Sequence, residues 1–325
     1  MVAWNACRVA SRRRVGANPK SQSLFAPRTL KMKLMKALKI VVLAKQVPDT
    51  RNVGRDAITP EGMVNRAALP AIFNPEDLNA LELALRLKAQ VAGSTVHILT
   101  MGPQRAAEII REAMFHGADG GYLLTDRKFA GSDTLATSYA LSCALKKIGA
   151  DVIFAGRQAI DGDTAQVGPQ VAQTLGLPQV AYAEEILSVG ESTLVVCRRL
   201  EQGVEVVETP IPAVLTVNYS APAVRPQNAR LIMKHKHAMT PSEVEASAGS
   251  LSAELVAERD YLKIVEWSAE DVECDESRLG LKGSPTKVKD VQSVVFQAKE
   301  SKRLSASDED INSLMVELMA SHKLG

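Results

Sequence analysis

From residue 39 onward, short β-branched apolar runs alternate with longer segments in which apolar residues recur every three or four positions. Residues 39–44 (KIVVLA) are apolar on both sides of the pleat after the first residue, as in a parallel strand buried on both faces. A loop with Pro48, Gly54, Pro60 and Gly62 follows. Asn74, Pro75, Glu76 and Asp77 then open a helix that runs through Lys88. Asn74 suits the cap, Pro75 the first helical position, and the two acids the positive end of the helix dipole. Leu78, Leu81 and Leu85 supply its apolar stripe. The unit repeats, with strands over 95–100, 121–124 and 151–155 and helices over 104–116, 133–147 and 163–175. This alternation predicts right-handed crossovers and an α/β fold with an open, mostly parallel, doubly wound sheet. Residues 179–217 are strand-rich, and 194–196 and 204–207 read as antiparallel additions.

Beyond about Pro222 the periodicity thins. Arg225, Arg230, Lys234, His235, Lys236 and His237 form a basic stretch, read either as a docking segment or as a solvated face. An acid-rich segment (243–275) and a turn-rich connector (279–285) follow. The last helix starts near Ser307 and carries Ile311, Leu314, Met315, Leu318 and Met319 on one side. Three regions are therefore expected. They are an extension over 1–37, an α/β nucleotide- or flavin-binding domain over 38–222, and a partner-docking loop and C-terminal arm over 223–325. The apolar side of the final helix packs either on another molecule or on its own domain.

Composition narrows the function. With 46% hydrophobic residues, a sizeable core can be buried. A net charge of +2 and 4% aromatic residues argue against a nucleic-acid partner, whether by charge or by base stacking. Cys7, Cys143, Cys197 and Cys274 form no C-x-x-C and no Cys/His cluster, so reduced thiols and no metal site are expected. No apolar run is long enough for membrane insertion. Residues 1–47 contain no Asp or Glu but many Lys and Arg. Such a start resembles an organelle transit peptide, or marks a mis-assigned start ahead of Met32 or Met35. The expected compartment is cytoplasmic, or the mitochondrial matrix if the transit peptide is genuine.

The most informative stretch is 155–169, which leaves a buried strand, turns, and enters a helix near Asp163. In open α/β sheets, ligands bind at the carboxyl ends of the strands, and a helix N-terminus there offers N–H groups to phosphate. Gly156 and Gly162 permit close backbone approach. Thr164 and Gln166 can donate to phosphate oxygens, and Arg157 adds a bidentate cation. Asp161 and Asp163 suit helix caps or acceptors for ribose or ribityl hydroxyls. Ordinary strand-to-helix capping is the competing account of the same loop. Neither G-x-G-x-x-G nor the P-loop pattern occurs. Three further segments break from apolar strand to polar turn on the same edge: 44–49, 100–103, and 125–127 continuing through 131–134.

Lys45-Gln-Val-Pro-Asp49, Asn74-Pro75, Met101-Gly-Pro103, Gly117-Ala-Asp119 and the 155–169 loop occur in an order and spacing that resembles the beta (small) subunit of electron-transfer flavoproteins. The resemblance covers about residues 36–236 and resumes at 280–286. It implies an adenine-nucleotide-binding pocket, with AMP in ordinary members and a second FAD in members that bifurcate electrons. Its matched positions are Leu43, Ala44 and Lys45; Asn74 to Asp77; Met101 and Gly102; and Gly156, Arg157, Gln158, Ala159, Ile160, Asp161, Gly162, Asp163, Thr164, Ala165, Gln166, Val167 and Gly168. The 158–169 and 124–134 segments look most like bifurcating members, which favours FAD over AMP. Thr125, Asp126 and Thr134 are then expected against the flavin or its ribityl chain.

The resemblance further implies a heterodimer with a larger alpha subunit and NADH as electron donor. One electron goes to the alpha-subunit FAD and on to an acyl-CoA-type or other dehydrogenase, the other to ferredoxin or flavodoxin. The alternative is a carrier that binds AMP structurally and passes electrons from dehydrogenases to a quinone reductase. Ordinary carriers dock with a leucine-led segment before an Ile-Met-Lys run. Here Ile232-Met-Lys234 is preceded by Ala229 and Arg230, so docking in that manner is not expected. An adenine-nucleotide-binding stress-protein module is a third account, disfavoured by the trailing segment and final helix. No residue is singled out as a general acid or base.

Overall fold

Which face a strand residue points to decides which helices it meets. The computed structural model describes residues 36–49, 69–286 and 302–321. In it, β1 (Lys39–Leu43) sends Ile40 and Val42 to one side of the sheet and Val41 and Leu43 to the other, all four buried. β2 (Gln46–Pro48) and β3 (Ala71–Phe73) form a separate antiparallel pair. The winding then proceeds through α1 (Pro75–Gln90), β4 (Thr95–Met101), α2 (Ala107–His116) and β5 (Gly120–Leu124). It continues through α3 (Thr134–Ile148), β6 (Val152–Gly156) and α4 (Val167–Leu175). β7 (Gln179–Val189), β8 (Thr193–Leu200), β9 (Gly203–Pro210) and β10 (Ala213–Val217) follow.

These strands, with β11 (Val265–Trp267), make one nine-stranded sheet in the order β11-β5-β4-β1-β6-β10-β7-β8-β9. From β11 to β7 every neighbour is parallel; β8 and β9 add antiparallel to β7. α1 and α2 cover one face, through residues such as Leu81, Leu87, Ile109 and Met114. α3 and α4 cover the other, through Ala140, Leu141, Val171 and Ala172. After β5 the chain returns across the sheet to β6, on the far side of β1, so the winding reverses between β1 and β6. That is the switch point at which the carboxyl edge opens a crevice.

The strands predicted over 39–44, 95–100, 121–124 and 151–155 agree with β1, β4, β5 and β6 to within about a residue, and those over 194–196 and 204–207 fall inside the longer β8 and β9. Two expectations change. The helix expected from Asp163 begins at Val167, because Asp163 (φ 49°) and Ala165 (φ 51°) are left-handed and cannot enter a right-handed helix. The arm expected after residue 222 is instead built into the first compact unit, which extends to Lys287. It forms α5 (Ala229–His235), α6 (Pro241–Ala246), α7 (Leu251–Glu258), β11 and α8 (Gly280–Gly283).

Single apolar anchors hold this segment down, with Val256, Leu262 and Ile264 in one core and Ala269, Val272 and Leu279 in the other. Scattered anchors have no period, which is why the sequence looks coreless there. The basic stretch is not a uniform solvated face either: Arg225 pairs with Glu82 on α1, and His235 is buried. In the second unit, α9 (Asp308–Ala320) is capped by Ser307, whose hydroxyl accepts from Asp310 N, as its sequence predicts. Among the described residues no helix is long and apolar enough to cross a membrane.

Candidate functional site

At the switch point, β1 runs out through Ala44 and Lys45, and β6 ends at Gly156. The Asp77 carboxylate, on the first turn of α1, sits between them. It accepts from Lys45 N (2.9 Å) and Gly156 N (3.0 Å), tying the two strand ends together. Burial pushes the Asp77 carboxyl up to about 7; hydrogen bonds from Lys45 N, the Asn74 side chain and Gly156 N oppose the rise, and the Glu76 charge adds to it. A Cβ on Gly156 would overlap the Asp77 carboxylate and lie 2.8 Å from the Glu76 carbonyl carbon. The approach of α1 is therefore by itself enough to require glycine at 156. Gly168 is likewise committed: its Cβ would lie 2.6 Å from Thr216 Cγ2 on β10. Around Gly162 a Cβ would meet nothing within 4 Å.

The loop over 157–166 is clamped at its base and exposed at its tip. Asn74 Nδ2 donates to Gln158 O (2.9 Å), and Asn74 Oδ1 accepts from Ile160 N (3.2 Å). Asn74 holds the cap position of α1 without a side-chain cap bond, so its amide clamps the loop rather than the helix. Glu76 accepts from Gln158 N and from Arg157 Nη2, both at 3.0 Å. Arg157, expected to meet phosphate, is thus bound to Glu76. Lys45 Nζ reaches Asp161 at 2.7 Å in an exposed pair. Asp163, expected to cap the helix or accept from a sugar, accepts instead from Gln158 Nε2 (3.0 Å). Ala159 and Ile160 are half-buried, while Gly162, Asp163, Thr164 and Gln166 are exposed.

The other predicted residues lie along the same carboxyl edge. Thr134 Oγ1 donates to Gln166 Oε1 (3.0 Å), joining the starts of α3 and α4. Met101 and Gly102 end β4, where Gly102 N donates to Leu124 O (3.0 Å) and a Cβ on Gly102 would press Ala106 Cβ at 3.1 Å. Thr125 N donates to Trp267 O (3.0 Å). Asp126, expected against a flavin, accepts from Lys128 N (2.9 Å) and Ala269 N (3.2 Å), so it secures its own loop.

Sequence reasoning missed the clamping role of Glu76 and a group around the end of β10: Tyr182, left-handed at φ 60°, Asn218, and Tyr219, whose ring lies 5.9 Å from the Arg157 guanidinium. The signal was present in Val217-Asn-Tyr219, a further break from apolar strand to polar turn on this edge.

This donor set suits a phosphate- and ribose-bearing ligand. First-turn amides of α4, at Val167 and Gly168, have no acceptor within the helix, and α4 starts at the carboxyl edge, after β6. Lys45 is held only by an exposed ion pair with Asp161, a weak kind of contact that a ligand's anion can replace. Among the described residues, Thr100 Oγ1, Gln104 Oε1 and Asn218 Oδ1 are buried without a hydrogen-bond partner, and all three lie just at or past strand carboxyl ends. Among the described residues there is no cluster of side chains able to hold a metal ion.

Residues 62–247 match the electron transfer flavoprotein domain. The electron transfer flavoprotein subunit beta of Clostridium acetobutylicum is 44% identical over 252 residues, spanning 78% of this chain and 86% of the relative. Protein FixA of Bradyrhizobium diazoefficiens is 39% identical over 283 residues, 85% of this chain and 89% of the relative. The caffeyl-CoA reductase-Etf complex subunit CarD of Acetobacterium woodii is 49% identical over 180 residues, 55% of this chain and 68% of the relative.

Proposed function

On the premise that this chain belongs to the electron transfer flavoprotein beta-subunit family, we propose that it is the small subunit of a heterodimer and binds FAD at the β1/β6 switch point. The observation that carries this reading is the 157–166 loop. Its base is fixed by Asn74 and Glu76, and its tip is open at Gly162 and left-handed at Asp163 and Ala165. Alternating backbone handedness turns successive N–H groups toward one point, an arrangement suited to an anion. Amides of the loop and of the α4 start would hold the pyrophosphate, and Lys45 would exchange Asp161 for a phosphate oxygen. Gln158, Thr164 and Gln166 would donate to phosphate or sugar oxygens, with Leu43, Ala44, Met101 and Gly102 lining the crevice. Thr125 and Thr134 would border the ribityl and ring end. Bound FAD supplies the one- and two-electron chemistry that no side chain here can perform.

In this reading NADH is the electron donor, and the acceptors are ferredoxin or flavodoxin on one side and the alpha-subunit FAD on the other. The naming of relatives as parts of caffeyl-CoA reductase and acryloyl-CoA reductase assemblies supports an acyl-CoA-type dehydrogenase as the onward partner. The segment beyond 222 would dock these partners, and the complex would work in the cytoplasm. A second reading, AMP held structurally, draws on the engagement of Arg157 with Glu76, which leaves Lys45 as the nearest exchangeable cation and suits a single phosphate.

Coexpression with the alpha subunit and release of bound cofactors separates the two. Two FAD per heterodimer is the expected result, and one FAD with one AMP would replace the first reading by the second. A complex carrying neither nucleotide in this subunit would overturn both.

A further inference from the structure

Outside the candidate site, one face of α3 carries three side chains at successive turns, Tyr139, Cys143 and Lys147, and each meets the segment over 267–278. The Tyr139 hydroxyl accepts from Asp275 N at 3.0 Å, and the Arg278 guanidinium lies 3.7 Å from the centroid of its ring. Lys147 donates to Asp271 O and lies 4.7 Å over the Trp267 ring. Between these two fastenings, Cys143 stands one turn after Tyr139 on α3 and Cys274 stands next to Asp275, so the bond from Asp275 N to Tyr139 brings the two thiols into one neighbourhood against the same core. Both cysteines are half-buried and pack against the α3/α4 core. Cys274 closes a tight turn through its N–H to Ala269 O (3.0 Å) and follows Glu273, left-handed at φ 53°.

We propose that Cys143 and Cys274 are a peroxide-responsive dithiol whose disulfide locks the 267–278 strap onto α3. The Cys143 thiolate attacks one oxygen of a hydroperoxide: an S–O bond forms, the O–O bond breaks, and the departing oxygen leaves protonated. Cys274, giving up its proton, then attacks the Cys143 sulfur; the S–S bond forms and the hydroxyl leaves as water. The thiol pair loses two electrons, and the peroxide is reduced by two. A dithiol reductant reverses the step by exchange.

The surroundings suit the order of events. The neighbouring Cys274 thiol, against the effect of burial, pulls the Cys143 thiol down, with Tyr139, Lys146 and Arg278 acting the same way, while Cys143 and burial push Cys274 up. With Lys146 three residues further along α3 and the Arg278 guanidinium over Tyr139 one turn back, Cys143 is the sulfur with cations beside it, hence the attacking one, and Cys274 the resolving one. The lock matters because the strap, with the turn that follows it, secures the loop over 125–134. Trp267 O, Glu276, Ser284 and Thr286 bond to Thr125 N, Lys128, Asp133 N and the Asp133 carboxylate respectively. Cys197 provides the contrast. It lies on β8, where burial raises its thiol, and Cys7 lies outside the described residues.

The test is to treat the full chain, copurified with its partner subunit, with a small excess of hydrogen peroxide, then alkylate and map the peptides by mass. The expected product is a Cys143–Cys274 linked peptide lighter by two hydrogens, with Cys197 alkylated. Cys274→Ser should stop at a Cys143 sulfenic acid that a 1,3-dione traps, whereas Cys143→Ser should leave Cys274 unoxidised. Amide exchange over 269–279 should slow at least tenfold in the oxidised protein. A folded protein that forms no such link, that links another pair first, or whose strap exchanges at the same rate in both states would overturn the proposal.

Discussion

Two loops on the same carboxyl edge are held in opposite ways. The loop after β6 (157–166) is clamped from within the nucleotide fold by Asn74 and Glu76, the first turn of the helix on the other side of the switch point. The loop after β5 (125–134) is held by chain far downstream, through Trp267, Ala269, Glu276, Ser284 and Thr286. The first clamp is part of the winding itself; the second is added from outside it. The candidate phosphate end should therefore be rigid whenever the domain is folded. The β5 loop can be loosened or tightened separately.

Gly156→Ala should show the largest effect. The new Cβ overlaps Asp77 and the α1 backbone, separating the strand ends. Overpacking together with a lost buried hydrogen bond costs about 3 kcal/mol, read as a lower urea midpoint, and nucleotide retention should fall with it. Gly280→Ala is the counterpart for the other loop. Gly280 is left-handed at φ 56°, and a Cβ there lies 2.5 Å from Lys128 O. A cost of about 2 kcal/mol is expected, with faster amide exchange over 127–133 and unchanged exchange over 157–166. If both loops loosened together, the separation drawn here would be wrong.

Asn74→Ala removes both amide contacts to Gln158 and Ile160 and should cost about 1–2 kcal/mol. Exchange over 158–163 should rise, with the β5 loop unaffected. Asp77 provides a pH test. Its carboxyl is raised from 3.8 to about 7, so between those values the folded state holds a proton that the unfolded state has released. Stability should accordingly fall as pH rises through that window, by about 1 kcal/mol per unit, while Asp77→Ala should flatten the slope in denaturation curves. Lys45→Gln breaks only an exposed pair and should change stability by less than about 0.5 kcal/mol. Nucleotide affinity should nevertheless drop severalfold at low salt, a difference that added salt erases.

The loop after β6 and the parallel core were legible because β-branched runs, a capped helix start and a polar break at each strand end are local signals. The strands came out nearly in place for that reason. What holds the loops was not legible. Asn74 and the acids beside it read as helix-start chemistry, and only the tertiary approach of β6 shows Asn74 and Glu76 turned toward the loop and Asp77 toward the strand ends. Asp163 looked like a cap because the left-handed turn that delays α4 is carried by Asp163 and Ala165, neither a glycine. β11 escaped notice because three residues at a sheet edge, with a Glu at their centre, carry no periodic pattern.

β10 is made after β7, β8 and β9, yet it lies between β6 and β7 and is buried at every position. During synthesis, the meander can fold against itself before it has any neighbour in the central sheet. It joins only when residues 213–217 clear the ribosome and slot into the gap. A nascent chain stalled just short of that point would present two unmated strand flanks, one on each half, and a chaperone that recognises bare β edges should engage it there and release it a few residues later.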